Sequence, residues 1–471
     1  MKKSKRSSIK LISALVCIIP FSVMAAKQEK PNIVVFLIDD LGWADLGCYG
    51  STFHETPRLD KLAQSGVRYT RSYSANPVCS PTRAALMTGK APQRLGITQW
   101  IHQPSDLHLP AEETTLGEAF QTAGYATGYI GKWHLGEKDD QLPSSNGFNY
   151  MQCVNRAGQP ASYFFPYKRK NKRGNYWDVP DLEKGKEGDY LTDATTDKAL
   201  EFIEANKDKP FLLYFAHYTV HTPIQAPAKL VEKYKNKREK LYGESKTERL
   251  KDRYNTVSRG RQDNPAYAAM VESLDTNVGR VIDTLESLKL TDNTIIVFTS
   301  DNGGHCHLKG SPGATSNLPL RSGKGWTYEG GTRIPTIISW PGNIQAASSD
   351  TPTISMDLYP TLLDLAGLPL KPKQHLDGQS MKSDLLGKTA PSLSKRALYW
   401  TYPHKHGSGH KPSHAIQKNN WKLIHFDADN TNELYKIDQD LGEKNDVSGK
   451  NPEKVKALLK ELNTWIKSTT P

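Results

Sequence analysis

Two stretches, NIVVFLIDDLG from Asn32 and NTIIVFTSDNGG from Asn293, each set an unbroken apolar run against a cluster of acidic and amide side chains. A run without polar alternation must be buried on both faces, which a strand achieves inside a parallel sheet covered by helices on each side. The segment YAAMVESLDTNVGRVIDTLESL before the second run has helical periodicity, so helix is followed by strand, the α/β order. Further strands are expected in YATGYIGKWH, FLLYFAHY and IPTIISWPG. Open α/β sheets carry their ligand sites at the carboxyl ends of the strands. There the chain places Asp39 and Asp40 after the first run and Asp301 and Asn302 after the second. An acidic pair ending a strand also suits helix capping or a solvated turn, but the pairing with SDNGG favours hard oxygen ligands for calcium or magnesium.

The chain has 471 residues, enough for one large domain and a smaller one, and no internal repeat is evident. Beyond SMDLYPTLLDLAGLP the segments become short and turn-rich: RALYWTY, HAIQKNNWKLIHF and NELYKI, then a helix near PEKVKALLKELNTWIKS. These predict a small antiparallel sheet with one helix packed on it. Residues 1–25 read as a secretory signal peptide with cleavage after Ala25: a basic head, an apolar stretch too short for a membrane span, then small residues. The expected divisions are 1–25, a catalytic domain over 26–370 and a C-terminal subdomain over 371–471, in a secreted or periplasmic protein without a membrane span. Two basic stretches, YKRKNKRGNYW and KYKNKREKLYGESKTERLKDRYNTVSRGR, look like insertions, the second a helical hairpin or solvated arm.

The formal net charge is +12, and loss of the leader leaves about +7. The excess favours acidic partners; no recognised nucleic-acid motif accompanies it, and a secreted protein meets acidic glycans more often. Cys48, Cys79, Cys153 and Cys306 remain in the mature chain without a CxxC pair, so the count requires no disulfide. Three adjacent residues, His305, Cys306 and His307, cannot readily converge on one zinc ion.

Cys79 stands in NPVCSPTRAALMTGK, where Pro77 and Pro81 oppose regular helix, Thr82–Met87 are good helix formers, and Gly89 ends the run. A side chain near a helix N-terminus, with Arg83 beside it, is suited to an anionic substrate.

CSPTR followed by LMTGK resembles the signature of type I sulfatases, in the alkaline phosphatase superfamily, whose cysteine is oxidised to formylglycine. The resemblance continues in order through IDDLG, GKWHLG, HTP, SDNG, GKGWTYEGGTRIP and WKLI; Lys90 stands where arginine is commoner. It implies an alkaline-phosphatase-like α/β fold, a large mixed sheet flanked by helices, with a smaller C-terminal domain of antiparallel sheet and helix. It also implies maturation of Cys79 by a formylglycine-generating enzyme, and calcium, with magnesium the alternative, on Asp39, Asp40, Cys79, Asp301 and Asn302. In the implied reaction one hydroxyl of the hydrated aldehyde attacks sulfur with help from Asp301, and the second, deprotonated by His134, expels sulfate. Arg83 would hold the nucleophile and the carboxylates; Lys132, His134, His221 and Lys324 would neutralise sulfate, with His221 and Lys324 candidates to protonate the leaving oxygen.

For the rest of the substrate, SYFFPYKRKNKRGNYW interleaves Lys170, Lys172 and Arg173 with Trp177, suited to stacking on sugars and pairing with further sulfates, or to a solvated loop. YPHKHGSGHKPSH offers His404, His406 and His410 as sugar contacts. The expected substrate is a sulfated polysaccharide or oligosaccharide, carrageenan-like or galactosamine-type. The alternatives are a small aryl sulfate, a phosphate or phosphonate ester, or a catalytically silent sulfated-glycan binder with Cys79 unoxidised.

Overall fold

The computed structural model describes residues 30–169, 178–308 and 310–470. Eight strands form the central sheet: β1 (Asn32–Ile38), β2 (Val67–Tyr69), β3 (Ala126–Gly131), β4 (Tyr150–Gln152), β5 (Phe211–Ala216), β6 (Thr294–Ser300), β7 (Thr336–Ser339) and β8 (Ala347–Ser349). Their spatial order is β8-β2-β7-β6-β1-β5-β3-β4, and β7 alone runs antiparallel to its neighbours, so the sheet is mixed. The strand expected from NIVVFLI lies at the centre, with Val35 opposite Tyr214 on one side and Val297 on the other.

Helices on both faces explain the unbroken apolar run. Ile33, Val35 and Leu37 point into one core with Ala84, Leu86 and Met87 of α1 (Cys79–Thr88). Val34, Phe36 and Ile38 point into the other with Phe202 and Ile203 of α2 (Leu191–Ala205) and Met270, Leu274 and Val278 of α3 (Pro265–Ser287). Each such side chain, fully buried, contributes about 1.5–3 kcal/mol of transfer free energy. The first core continues through Met381, Leu385 and Leu393, beyond residue 370.

The C-terminal strands β9 (Leu398–Tyr402), β10 (Ser413–Lys418), β11 (Trp421–Phe426) and β12 (Thr431–Lys436) form an antiparallel meander. Asn419 and Asn420, both at positive φ, make the two-residue turn that divides HAIQKNNWKLIHF into β10 and β11. One face of this sheet buries Ile416, Leu423 and Leu434 under Leu458 and Leu462 of α4 (Pro452–Thr469). The other packs Trp400, Ala415 and Ile424 with Trp326 and Tyr328 of the large domain.

The second basic stretch differs from the expected helical hairpin or solvated arm. Only its first part is helical, within Ala228–Tyr242; Arg249–Lys251 then pairs with Val257–Arg259, whose Ser258 lies opposite His307. Main-chain pairing with a segment about fifty residues away leaves no local periodicity to read. Residues 170–177 of the first basic stretch, with Lys170, Lys172, Arg173 and Trp177, lie outside the described residues, as does the leader.

Candidate active site

Four neighbouring strands in the order β6-β1-β5-β3 are parallel, so their carboxyl ends open on one edge of the sheet. That edge receives Asp301 and Asn302 from β6, Asp39 and Asp40 from β1, His221 from the turn after β5, and Lys132 and His134 from β3. Above it α1 begins at Cys79 itself, with Pro81 in the first turn, where its missing N–H costs no helical hydrogen bond. All ten residues of α1 are buried, and Gly89 ends it in the left-handed conformation at φ 69°.

Arg83 fixes the acidic cluster. Its Nε and Nη2 lie 2.9 and 2.7 Å from Asp301 Oδ2, its Nη1 donates to the Lys132 carbonyl at 2.8 Å, and Nη2 is 3.7 Å from Asp39 Oδ1. Lys132 Nζ donates to Asp39 Oδ2 at 2.7 Å, and Asn302 Nδ2 to Asp40 Oδ1 at 2.8 Å. Lys324 Nζ reaches both Asp40 Oδ1, at 2.6 Å, and Cys79 Sγ, at 3.5 Å. Asp40 and His134 occupy the left-handed region of backbone space, where a side chain is strained; the hydrogen bond from the Asp40 N–H to Asp301 Oδ1 helps hold the first.

The donors fit a hard cation. Single atoms of Asp39, Cys79 and Asp301 lie within 4.8 Å of one another, as do those of Asp39, Asp40 and His221. Asp39 Oδ1 and Asn302 Oδ1 are buried acceptors without a hydrogen-bond partner. Oxygens left bare in a buried cluster are what calcium or magnesium coordinates. Burial, reinforced by Asp301 and Asp40 and opposed by Lys132 and Arg83, pushes the Asp39 carboxyl up to about 8. For Asp40 burial acts upward too, but Lys324, His221 and His305 outweigh it and hold the group below the usual carboxylate range.

Both site histidines have their tautomers set by carbonyls, which only accept. His134 Nε2 donates to Ile101 O at 2.9 Å, leaving Nδ1 as a bare acceptor; His221 Nδ1 donates to Thr222 O at 2.9 Å, leaving Nε2 3.6 Å from Asp40 Oδ2. Burial first, then Lys132 for His134 and Lys324 for His221, holds each ring neutral, well below its ordinary value. Burial also lowers Lys324, but Asp40 and then Cys79 outweigh it, so the ammonium stays charged. Burial raises the Cys79 thiol against the pull of Lys132 and Lys324, so an unmodified thiol here is not a thiolate at neutral pH.

A cavity of about 550 Å³ opens over this cluster. Cys79, His134, His221, Lys324 and His406 line it, and its outer wall includes Trp100, His102, Gln103 and Gln159, which sequence reasoning missed. No periodicity or motif marks those four; only the fold brings them to the cavity. Lys132, expected to neutralise sulfate, is buried, donates to Asp39 Oδ2 and is not among the residues that line the cavity. His410, expected at the sugar, does not line the cavity: it is buried against Trp326 and Tyr402, with ring centroids 5.1 and 5.3 Å away. Its side chain alternates with outward neighbours in a loop that folds back on the C-terminal sheet, and burial lowers its pKa to about 3. His404 also stands off the cavity, bonded to Thr98 Oγ1 at 2.9 Å. Cys306 is buried away from Cys79, and the four cysteines are free thiols among the described residues.

Asn317 was also invisible in the sequence. Buried between two site loops, its Nδ2 donates to Gly304 O and Ser322 O, each at 2.9 Å, tying the segment after Asn302 to the one that carries Lys324.

A family model described as sulfatase matches residues 31–368, most of the chain. The chain belongs to the sulfatase family. It is accordingly a sulfuric ester hydrolase by family. A second model, N-sulphoglucosamine sulphohydrolase C-terminal, matches residues 322–469. The N-acetylgalactosamine-6-sulfatase of Canis lupus familiaris is 33% identical over 398 residues, covering 80% of this sulfatase and 69% of that protein. A sulfatase of Formosa agariphila is 29% identical over 548 residues, covering 99% and 95%. Among solved structures, Ps i-CgsB superposes with a TM-score of 0.78 at 31% identity over 93% of each chain; the same protein has been crystallised with k-i-k-neocarrahexaose. The mixed sheet and C-terminal meander agree with these neighbours and with the expected fold class. Among the described residues of this sulfatase no helix is long and apolar enough to cross a membrane.

Proposed function

We propose that this protein is a secreted sulfatase that removes sulfate from a sulfated polysaccharide or oligosaccharide, carrageenan-like or galactosamine-type, through an oxidised Cys79. The observation that carries the reading is the position of Cys79: at the start of α1, lining the cavity, 3.5 Å from the Lys324 ammonium and clustered within 4.8 Å with carboxylate oxygens of Asp39 and Asp301. A relative named N-acetylgalactosamine-6-sulfatase and a neighbour crystallised with k-i-k-neocarrahexaose support a glycan over a small aryl ester. A secretory leader and a basic net charge support an anionic polymer met outside the cytoplasm.

Formylglycine at position 79 would supply a hydrated carbonyl as nucleophile, and calcium on Asp39, Asp40, Asp301 and Asn302 would offset the charge gathered around it. Lys324 lies close enough to pair with a sulfate oxygen and holds a proton at Nζ for the departing alcohol. His221, with Nδ1–H committed to Thr222, can exchange a proton with the cavity only at Nε2. His134, with Nε2–H committed to Ile101, offers Nδ1 as the base for the hydroxyl of residue 79. Arg83 and Lys132 keep the carboxylates in register.

The test combines peptide mass with turnover. The active protein is expected to carry residue 79 as formylglycine, lighter than cysteine, and to desulfate at least one member of a panel of sulfated galactose and galactosamine oligosaccharides, the position located by NMR. Cys79→Ser is expected to take sulfate once and stall, because a single hydroxyl cannot regenerate a carbonyl. Full activity with an intact thiol overturns the oxidised nucleophile; cleavage of aryl sulfates alone overturns the glycan substrate.

A further inference from the structure

The segment Trp100–Gln103 is anchored to the reaction centre at both main-chain polar groups of one residue. The Ile101 N–H donates to Ser80 Oγ at 3.0 Å, next to Cys79 in the chain, and the Ile101 carbonyl receives the His134 Nε2 proton at 2.9 Å. Ile101 is buried, and it lines the cavity together with Trp100 and His102 on either side of it. The His102 ring lies against Trp100, with centroids 3.6 Å apart at an interplanar angle of 42°, and limits the freedom of the indole. Gln103 and Gln159 line the same cavity.

From this arrangement we infer that Trp100, backed by His102, is the platform on which the sugar ring bearing the scissile sulfate lies, and so a specificity-determining residue. The inference rests on the glycan reading above. A pyranose presents a face of C–H groups, slightly positive, and the indole face is negative, so the two attract while both shed water. An apolar surface alone would bind the ring without fixing its orientation. The amides of Gln103 and Gln159 supply donors and acceptors for its hydroxyls, the arrangement of a small-ligand pocket, and 550 Å³ is within the usual size range for one. Because the platform and His134 share the Ile101 peptide, the sugar is held at a set position relative to the centre that cleaves its ester.

The experiment uses the matured full chain with N-acetylgalactosamine 6-sulfate, k-i-k-neocarrahexaose and 4-nitrophenyl sulfate as substrates, and inorganic sulfate as inhibitor. Trp100→Ala is expected to raise KM about tenfold for whichever sugar ester the wild type cleaves, the scale of one lost aromatic contact. Inhibition by inorganic sulfate, which fills only the anion end, is expected to stay unchanged, and Trp100→Phe to recover most of the loss. An unchanged KM in Trp100→Ala overturns the platform while the glycan reading stands. A parallel weakening of sulfate inhibition also overturns it, because Trp100 would then merely shape the site. A wild type that cleaves 4-nitrophenyl sulfate and neither sugar overturns the glycan reading and the platform with it.

Discussion

Asp39, Asp40 and Asp301 meet in a buried cluster with two fixed cations beneath them and a third, Lys324, at the cavity side. Two buried oxygens, Asp39 Oδ1 and Asn302 Oδ1, still lack a partner there. A divalent cation resolves both the repulsion and the unmade contacts, and a site of this flexible oxygen type suits calcium. Calcium is therefore expected to raise the thermal midpoint of the wild-type protein and to leave that of Asp301→Asn unmoved, since a ligand that binds only the folded state stabilises it. Elemental analysis of Asp301→Asn is expected to find the metal gone, and kcat/KM is expected to fall by about 10²-fold or more, as when one preorganised electrostatic group is removed. Retention of both metal and activity would remove Asp301 from the ligand set.

At the scale of elements, the site depends on loops that cross one another more than on the strands that carry them. The loop after β4 lies across His134 so closely that a Cβ on Gly158 would sit 2.3 Å from His134 Cε1. A glycine is needed there for space, since no positive φ is involved. Gly158→Ala is expected to push the imidazole out of line and lower kcat by about 10- to 100-fold, because displacement on the order of 1 Å is costly to a proton-transfer group. Overpacking costs about 1–3 kcal/mol, so the variant is expected to remain folded, with a modestly lowered thermal midpoint. A calorimetric scan alongside steady-state kinetics separates the two effects.

Over the whole molecule, the C-terminal sheet is joined to the catalytic domain through a buried charge network. Lys422 of β11 places Nζ 2.8 Å from Glu329 and 3.1 Å from Glu443; Arg333 also reaches Glu329 at 3.2 Å. Lys422→Ala removes the cation shared by the buried Glu329 carboxylate and the Glu443 carboxyl group and is expected to cost about 3–5 kcal/mol in denaturant unfolding. The same network sets a pH dependence. Burial, with Glu329 adding and Lys422 opposing, pushes the Glu443 carboxyl up to about 8 from its ordinary 4.5. A raised carboxyl pKa means the folded state keeps a proton that the unfolded chain gives up, so this contribution is complete below pH 4.5 and is lost as pH rises to about 8. Between those limits the wild type is expected to lose stability relative to Glu443→Gln, which cannot titrate; parallel profiles would show that Glu443 is ionised throughout.

The apolar runs ending in Asp39–Asp40 and Asp301–Asn302 were enough to read buried parallel strands with acidic and amide side chains at their carboxyl ends, because a strand covered on both faces has no position for a polar side chain. The motif around Cys79, and with it the family, was legible for a different reason: its residues are contiguous, so their spacing is preserved in one dimension. The C-terminal meander was readable from its turns and alternation. Only the tertiary structure decided that β1 lies between β5 and β6, which brings two distant acidic ends together. It also turned two short segments of the basic arm into strands, drew His410 into an aromatic core, set Lys132 against Asp39, and brought Trp100 to the cavity. Periodicity reports which face of an element is buried; it carries no record of the partner, and loops such as Trp100–Gln103 have no period at all. Their positions follow from long-range contacts to Ser80 and His134, which exist only once the sheet has assembled.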